Sequence, residues 1–186
     1  MESFLKIISA VPFLSPDDIK LFSSICYGQE LKKGEFWARQ NHHSEKIALI
    51  EKGYLRKFYM NEGKEVTDSF YFENSFTAEL PSILANTPTF SNTIAEEDSS
   101  LTWFTYKELN ELCKQSHNIE HFVRTMIERT FVQFYYRTVS FINKTPKERY
   151  DELINTFPTV LQRAKQYHIA SYLGISAQHL SRLRSQ

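Results

Sequence analysis

The rhythm of apolar positions changes along the chain. Residues 14–26 keep a helical period, with Ile19, Phe22 and Ile25 on one stripe. Ser15 is a natural N-cap there, Pro16 takes the first helical position, and Asp18 closes a capping-box pattern. Short alternating stretches follow. Lys33 and Gly34 mark a turn before Glu35. Residues 46–60 predict two strands around Lys52 and Gly53, with Ile47, Leu49, Leu55 and Phe58 as core. A second turn at residues 61–64 leads into a strand carrying Val66, Phe70 and Phe72, and residues 93–106 predict a late strand pair turning at Glu97 and Asp98. Several short strands joined by glycine turns imply an antiparallel sandwich or barrel.

From Lys107 the period becomes helical. A short helix covers 107–114, and residues 117–142 hold no Gly or Pro and predict one helix of about 25 residues. Ile119, Phe122, Met126, Gln133 and Arg137 fall near one seam, and Val123, Ile127, Phe131, Phe134 and Ile142 on an adjoining stripe. A helix apolar on two faces needs two surfaces to cover it. One is its own β-domain. The same helix of a second copy is the simplest other, so Ile119, Phe122, Met126 and Gln133 are expected on a dimer face that the β-domain does not also cover. Thr145, Pro146 and Glu148 then form a capping box, and Tyr150, Leu153, Ile154 and Phe157 give the new helix its apolar face.

The end of the chain, 166–186, reads as a helix-turn-helix. Ala170 is small where two helices cross, and Gly174 can take positive φ at the turn. Ile169, Leu173, Ile175, Leu180 and Leu183 have the spacing to bury both helices. Ser176 is the N-cap of the second helix, whose outer side is polar and basic: Gln178, His179, Ser181, Arg182 and Arg184. Such side chains reach base edges and phosphates of double-stranded DNA.

Charge supports that division. The 186 residues carry 22 basic and 22 acidic side chains. From Lys144 onward there are seven basic against three acidic, a cationic segment on an acidic body. The expected domains are therefore 1–116, 117–143 and 144–186. Two cysteines, Cys26 and Cys113, point away from a disulfide framework and toward a reducing compartment, the cytoplasm. The sequence shows no basic leader and no apolar run of membrane-spanning length, so no membrane association is expected. No Gly-x-Ser-x-Gly, P-loop or Gly-x-Gly-x-x-Gly occurs, and no enzyme activity is expected. The acidic run Glu96, Glu97, Asp98 reads as a solvated turn.

A β-roll, a long helix and a helix-turn-helix in this order resemble the Crp/Fnr superfamily, the cyclic-AMP receptor protein type. The resemblance spans nearly the whole chain and is strongest in IASYLGISAQHLSRLRS and in SFTAELPSILANTPTFSNTIAEEDS. It implies an α+β fold with a cyclic-nucleotide-binding-like jelly roll, a homodimer on a palindromic operator, and RNA polymerase as a partner. By that resemblance Arg182 and Gln178 read bases, Ala177 replaces a basic residue, and Arg184 and Lys165 contact phosphates.

The family's phosphate cassette runs Gly-Glu-Leu and then Arg-Ser-Ala. Here Ala78, Glu79 and Leu80 match the first part, with Glu79 in the ribose-binding place, while Thr89, Phe90 and Ser91 stand at the second. No Arg or Lys lies between Lys64 and Lys107. A buried cyclic phosphate wants a charge-assisted partner. The cassette is therefore expected to survive as architecture, with Phe90 filling the phosphate slot and no cyclic nucleotide as cofactor. A four-thiolate iron–sulfur cluster needs more cysteines than two, and His42, His43, His117 and His121 are the candidates for haem or metal ligation. The competing reading is a ligand-sensing roll that has lost DNA binding; a third is cyclic-nucleotide binding through a different cation.

Overall fold

A computed structural model describes residues 1–184; Ser185 and Gln186, the end of the third expected domain, lie outside it. In chain order the elements are α1 (Glu2–Ser9), α2 (Pro16–Ser23), β1 (Tyr27–Leu31), β2 (Phe36–Ala38), β3 (Lys46–Lys52), β4 (Leu55–Asn61), β5 (Lys64–Tyr71), β6 (Phe76–Ala78), α3 (Leu80–Ala85), β7 (Asn92–Ala95) and β8 (Ser99–Thr105). Helices follow: α4 (Tyr106–Gln115), α5 (His117–Asn143), α6 (Pro146–Thr156), α7 (Val160–Arg163), α8 (Gln166–Leu173) and α9 (Ala177–Arg184). The strands make two four-stranded sheets, ordered β1-β8-β3-β6 and β2-β7-β4-β5. The chain divides into two compact units: residues 1–57 with 70–126, and residues 58–69 with 127 onward.

In the first unit, alternation on β3 explains the layers. Ala48 and Ile50 meet Leu31, Leu55, Ala95 and Leu101 between the sheets, while Leu49 and Phe104 face α1, α2 and α4. Gly53 sits at φ +84 in the β3–β4 turn, where a Cβ would collide with the Ser99 hydroxyl and lie 2.8 Å from the Asp98 carbonyl. The predicted cap of α2 is present: Ser15 Oγ accepts the Asp18 N–H, and the Asp18 carboxylate accepts the Ser15 N–H at 2.9 Å. Asp18 also accepts from Ser116 Oγ and from Asn118 Nδ2 at 2.9 Å, which ties α2 to the joint of α4 and α5.

Two sequence expectations need correction here. Ile119 and Phe122 are buried in the core of this unit, and Met126 packs against it. Their stripe meets Phe4, Phe22, Leu109 and Leu112, with the Phe22 and Phe122 rings 6.0 Å apart. Helix α1, which the alternation did not announce, supplies much of that surface. Val66, which the alternation groups with Phe70 and Phe72, is exposed while they are buried.

In the second unit α5 exposes Ile127, Phe131, Phe134, Tyr135 and Ile142 along one side, Phe131 at 70% of its surface. Gln133 is exposed too. Helix α6 begins at the expected box, with Thr145 Oγ1 accepting the Glu148 N–H. Tyr150, Leu153, Val160, Ala164, Ile169, Leu173, Leu180 and Leu183 are buried. Residues 158–166 hold the helical turn α7.

Candidate functional site

The helix-turn-helix is built as its residues dictate. Gly174 ends α8 at φ +68, and the Ile175 N–H bonds back to the Ala170 carbonyl at 3.0 Å, a left-handed helix cap. A Cβ on Gly174 would lie 3.1 Å from the Phe141 ring. Ser176 Oγ then accepts the His179 N–H at 3.2 Å and caps α9. Leu180 and Leu183 turn inward, whereas Ser176, Ala177, Gln178, Ser181, Arg182 and Arg184 are exposed. His179 is half-buried, and Lys165, just before α8, is exposed.

Two arginines fix this module from behind. The Arg137 guanidinium stacks on the Tyr172 ring at 3.6 Å and the Phe141 ring at 4.4 Å, and donates to the Tyr172 carbonyl. Arg149 donates to the Leu173 carbonyl at 3.1 Å and the Lys144 carbonyl at 2.7 Å. Both serve carbonyls at the end of α8, which have no partner within their own helix. Arg137, placed on the dimer seam by periodicity, works here instead. The β4–β5 hairpin adds a bond, the Thr67 N–H to Ser171 Oγ at 3.0 Å. Asp151 and Glu152 are engaged by Lys147 and Lys144.

The cassette residues converge inside the first unit. Glu79, at the end of β6, is 2% exposed. Its carboxylate accepts from Thr89 Oγ1 at 2.9 Å, Ser91 Oγ at 2.8 Å and Thr93 Oγ1 at 2.9 Å, and Lys57 Nζ lies 2.8 Å away. A carboxylate has about four lone-pair sites. Four of this chain's own donors already meet it, three on Oε2 and Thr93 on Oε1, and the Lys57 ammonium is committed to it. Leu80 opens the short helix α3 after Ala78 and Glu79.

Thr89 is thus a Glu79 ligand. Phe90 does not fill a phosphate slot: it is 64% exposed, because once Thr89 turns inward its neighbour must turn out. Lys57, Ser91 and Thr93 were missed. Lys57 had a signal: Arg56 and Lys57 are adjacent on an otherwise apolar strand, and alternation sends one of them inward. Both are buried, Arg56 against Glu96 at 2.7 Å, so Glu96 is not the solvated turn residue expected.

The remaining candidates stand apart. His117 lies 3.3 Å from Glu120, and His121 packs on Phe13 and bonds Arg124. Among the described residues no three His, Cys, Asp or Glu side chains cluster as a metal site. Burial, with the Glu108 charge behind it, pushes the Cys26 thiol up to about 12, and burial also raises Cys113. Neither is an activated nucleophile. No described helix is long and apolar enough to cross a membrane.

A two-sheet roll, a long helix and a C-terminal helix-turn-helix define the architecture of Crp/Fnr-type transcription regulators, and this chain has that fold. Residues 28–116 match the cyclic nucleotide-binding domain family. FixK2 from Bradyrhizobium japonicum superimposes with a TM-score of 0.72 at 15% identity, over 87% of this chain and 84% of that one. A regulator assigned to the crp/fnr family from Eubacterium rectale gives 0.68 at 20% identity, over 91% and 82%. The catabolite activator protein of Thermus thermophilus gives 0.59 at 17% identity, over 92% and 83%. No curated protein matches the sequence.

Proposed function

We propose that this chain is a homodimeric transcriptional regulator that binds double-stranded DNA without depending on cyclic AMP. Residues 1–116 act as sensor, 117–143 as dimer helix and 144–186 as DNA reader. The observation that carries the reading is the outer face of α9. Gln178, Ser181, Arg182 and Arg184 are exposed together on a helix whose other side, Leu180 and Leu183, is buried. That is the polarity a recognition helix needs, apolar toward its own domain and hydrogen-bonding toward the major groove. Arg182 suits guanine O6 and N7, and Gln178 suits adenine. Arg184 and Lys165 serve phosphates, with Ser176, Ala177 and His179 at the helix start.

The exposed stripe Ile127, Phe131, Phe134 and Ile142, with Gln133 beside it, is the surface for a second copy. A two-fold dimer reads a two-fold operator with half-sites roughly 34 Å apart. The engagement of the Glu79 carboxylate by Thr89, Ser91, Thr93 and Lys57 supports independence from cyclic AMP. The regulator acts in the cytoplasm, with RNA polymerase as its partner, and catalyses no reaction. Selection of bound DNA from a random pool tests the proposal. A two-fold symmetric site is expected, and failure to enrich any sequence refutes DNA readout.

A further inference from the structure

We propose that the interior of the roll, beside the closed Glu79 site, binds a small aromatic carboxylate through Trp37, Thr77 and Lys46. This rests on reading the roll as a sensor and names the chemistry it senses. In register, Ala48 on β3 faces Thr77 on β6 and Trp103 on β8. Residues directly across an antiparallel pair share a face. Thr77, Ala48 and Trp103 therefore form one row across the inner side of their sheet. Trp37, from the other sheet, packs with Trp103, Tyr71 and Ala48 in the same interior cluster. Lys46 shares that face, two residues before Ala48, and its Nζ lies 4.3 Å from the Trp103 ring centre and 5.6 Å from that of Trp37.

Two polar side-chain atoms in this compartment, Trp37 Nε1 and Thr77 Oγ1, are buried without a hydrogen-bond partner, and Thr77 is 2% exposed. Buried donors are ordinarily paired, as Thr89, Ser91 and Thr93 are with Glu79, two residues after Thr77. An indole N–H can only donate, so it needs an acceptor; the threonine hydroxyl can give or take one bond. The Trp37 indole offers a flat aromatic wall, which suits stacking against a planar ring, while the Trp103 ring is already packed on Tyr27, ring centres 4.8 Å apart. Lys46 supplies positive charge at the indoles. A flat apolar body ending in a carboxylate meets all of these demands, whereas a phosphate or sugar aimed at Glu79 meets none.

The test uses the full chain and its own fluorescence, because both tryptophans, Trp37 and Trp103, line the compartment. Benzoate, benzamide and toluene are titrated against tryptophan emission, with melting temperature measured in parallel. Benzoate is expected to saturate at about 1 mM or below, reasonable for so small a probe, and benzamide and toluene to bind at least about tenfold more weakly. Lys46→Met should erase the preference for benzoate over benzamide. Thr77→Val should weaken benzoate while raising the melting temperature of the free protein, since it removes an unpaired hydroxyl at constant shape. Absence of a saturable change by about 10 mM benzoate overturns the proposal, as does equal binding of the three probes. A lowered melting temperature for Thr77→Val also overturns it, because the hydroxyl would then already be paired with water. DNA selection is independent of all these readouts, so failure here leaves the regulator reading separately testable.

Discussion

The Lys57 ammonium lies 2.8 Å from the Glu79 carboxylate, and both side chains are almost wholly buried. The pair places a cation of the chain's own where a ligand's charge would otherwise be met. Removing one partner of a buried pair leaves an uncompensated charge. Lys57→Met is therefore expected to cost about 3–5 kcal/mol in urea denaturation. Lys57→Met with Glu79→Gln should recover much of that loss, since the remaining amide is uncharged. A single variant as stable as the parent would show that the pair does not hold the site closed.

Helix α5 changes role along its length, and two substitutions separate its halves. Phe131→Glu places a charge on the exposed stripe and should convert a dimer into a folded monomer by sedimentation. Phe122→Glu puts the charge among Phe22, Leu109 and Leu112, and should lower the melting temperature instead. If Phe131→Glu leaves the sedimentation unchanged, the stripe is not the interface.

Arg182→Ala should cost about 1–3 kcal/mol per half-site and relax preference at one base pair. Lys165→Ala should weaken all sequences alike and reduce the salt slope by about one. Binding to a selected operator and its single-base variants distinguishes the two roles. Equal losses on every variant for Arg182→Ala would mean that it contacts backbone rather than base.

Acid should loosen the joint between α2 and α5. The Ser116 hydroxyl, foremost, and then the Asn118 amide hold Asp18 well below the usual carboxylate range. A carboxylate with a depressed folded-state pKa stabilises fully above its unfolded value, about 3.9, and loses that contribution as pH falls toward the folded value. Asp18→Asn should therefore lower stability at pH 7 and flatten its decline below about pH 4. Parallel stability curves for the two proteins would exclude Asp18 as the group responsible.

The sequence by itself determined what lies within a few neighbouring residues. The caps at Ser15, Thr145 and Ser176 each close over three positions, and Gly174 is required by one backbone angle. The change of apolar period separated strands from helices and isolated the polar, basic face of α9, because periodicity expresses which side of an element is dry. Tertiary structure decided the pairings that no local rule specifies. The burial of Phe122 depended on α1 and α4 arriving to cover it. Arg137 meets Tyr172 across 35 residues, and Lys57 meets Glu79 from another strand. Those contacts are fixed by sheet register and helix docking. A buried charge is tolerable only where such distant elements bring it a partner, and for that reason the pairing of Lys57 with Glu79 could be seen only in the folded chain.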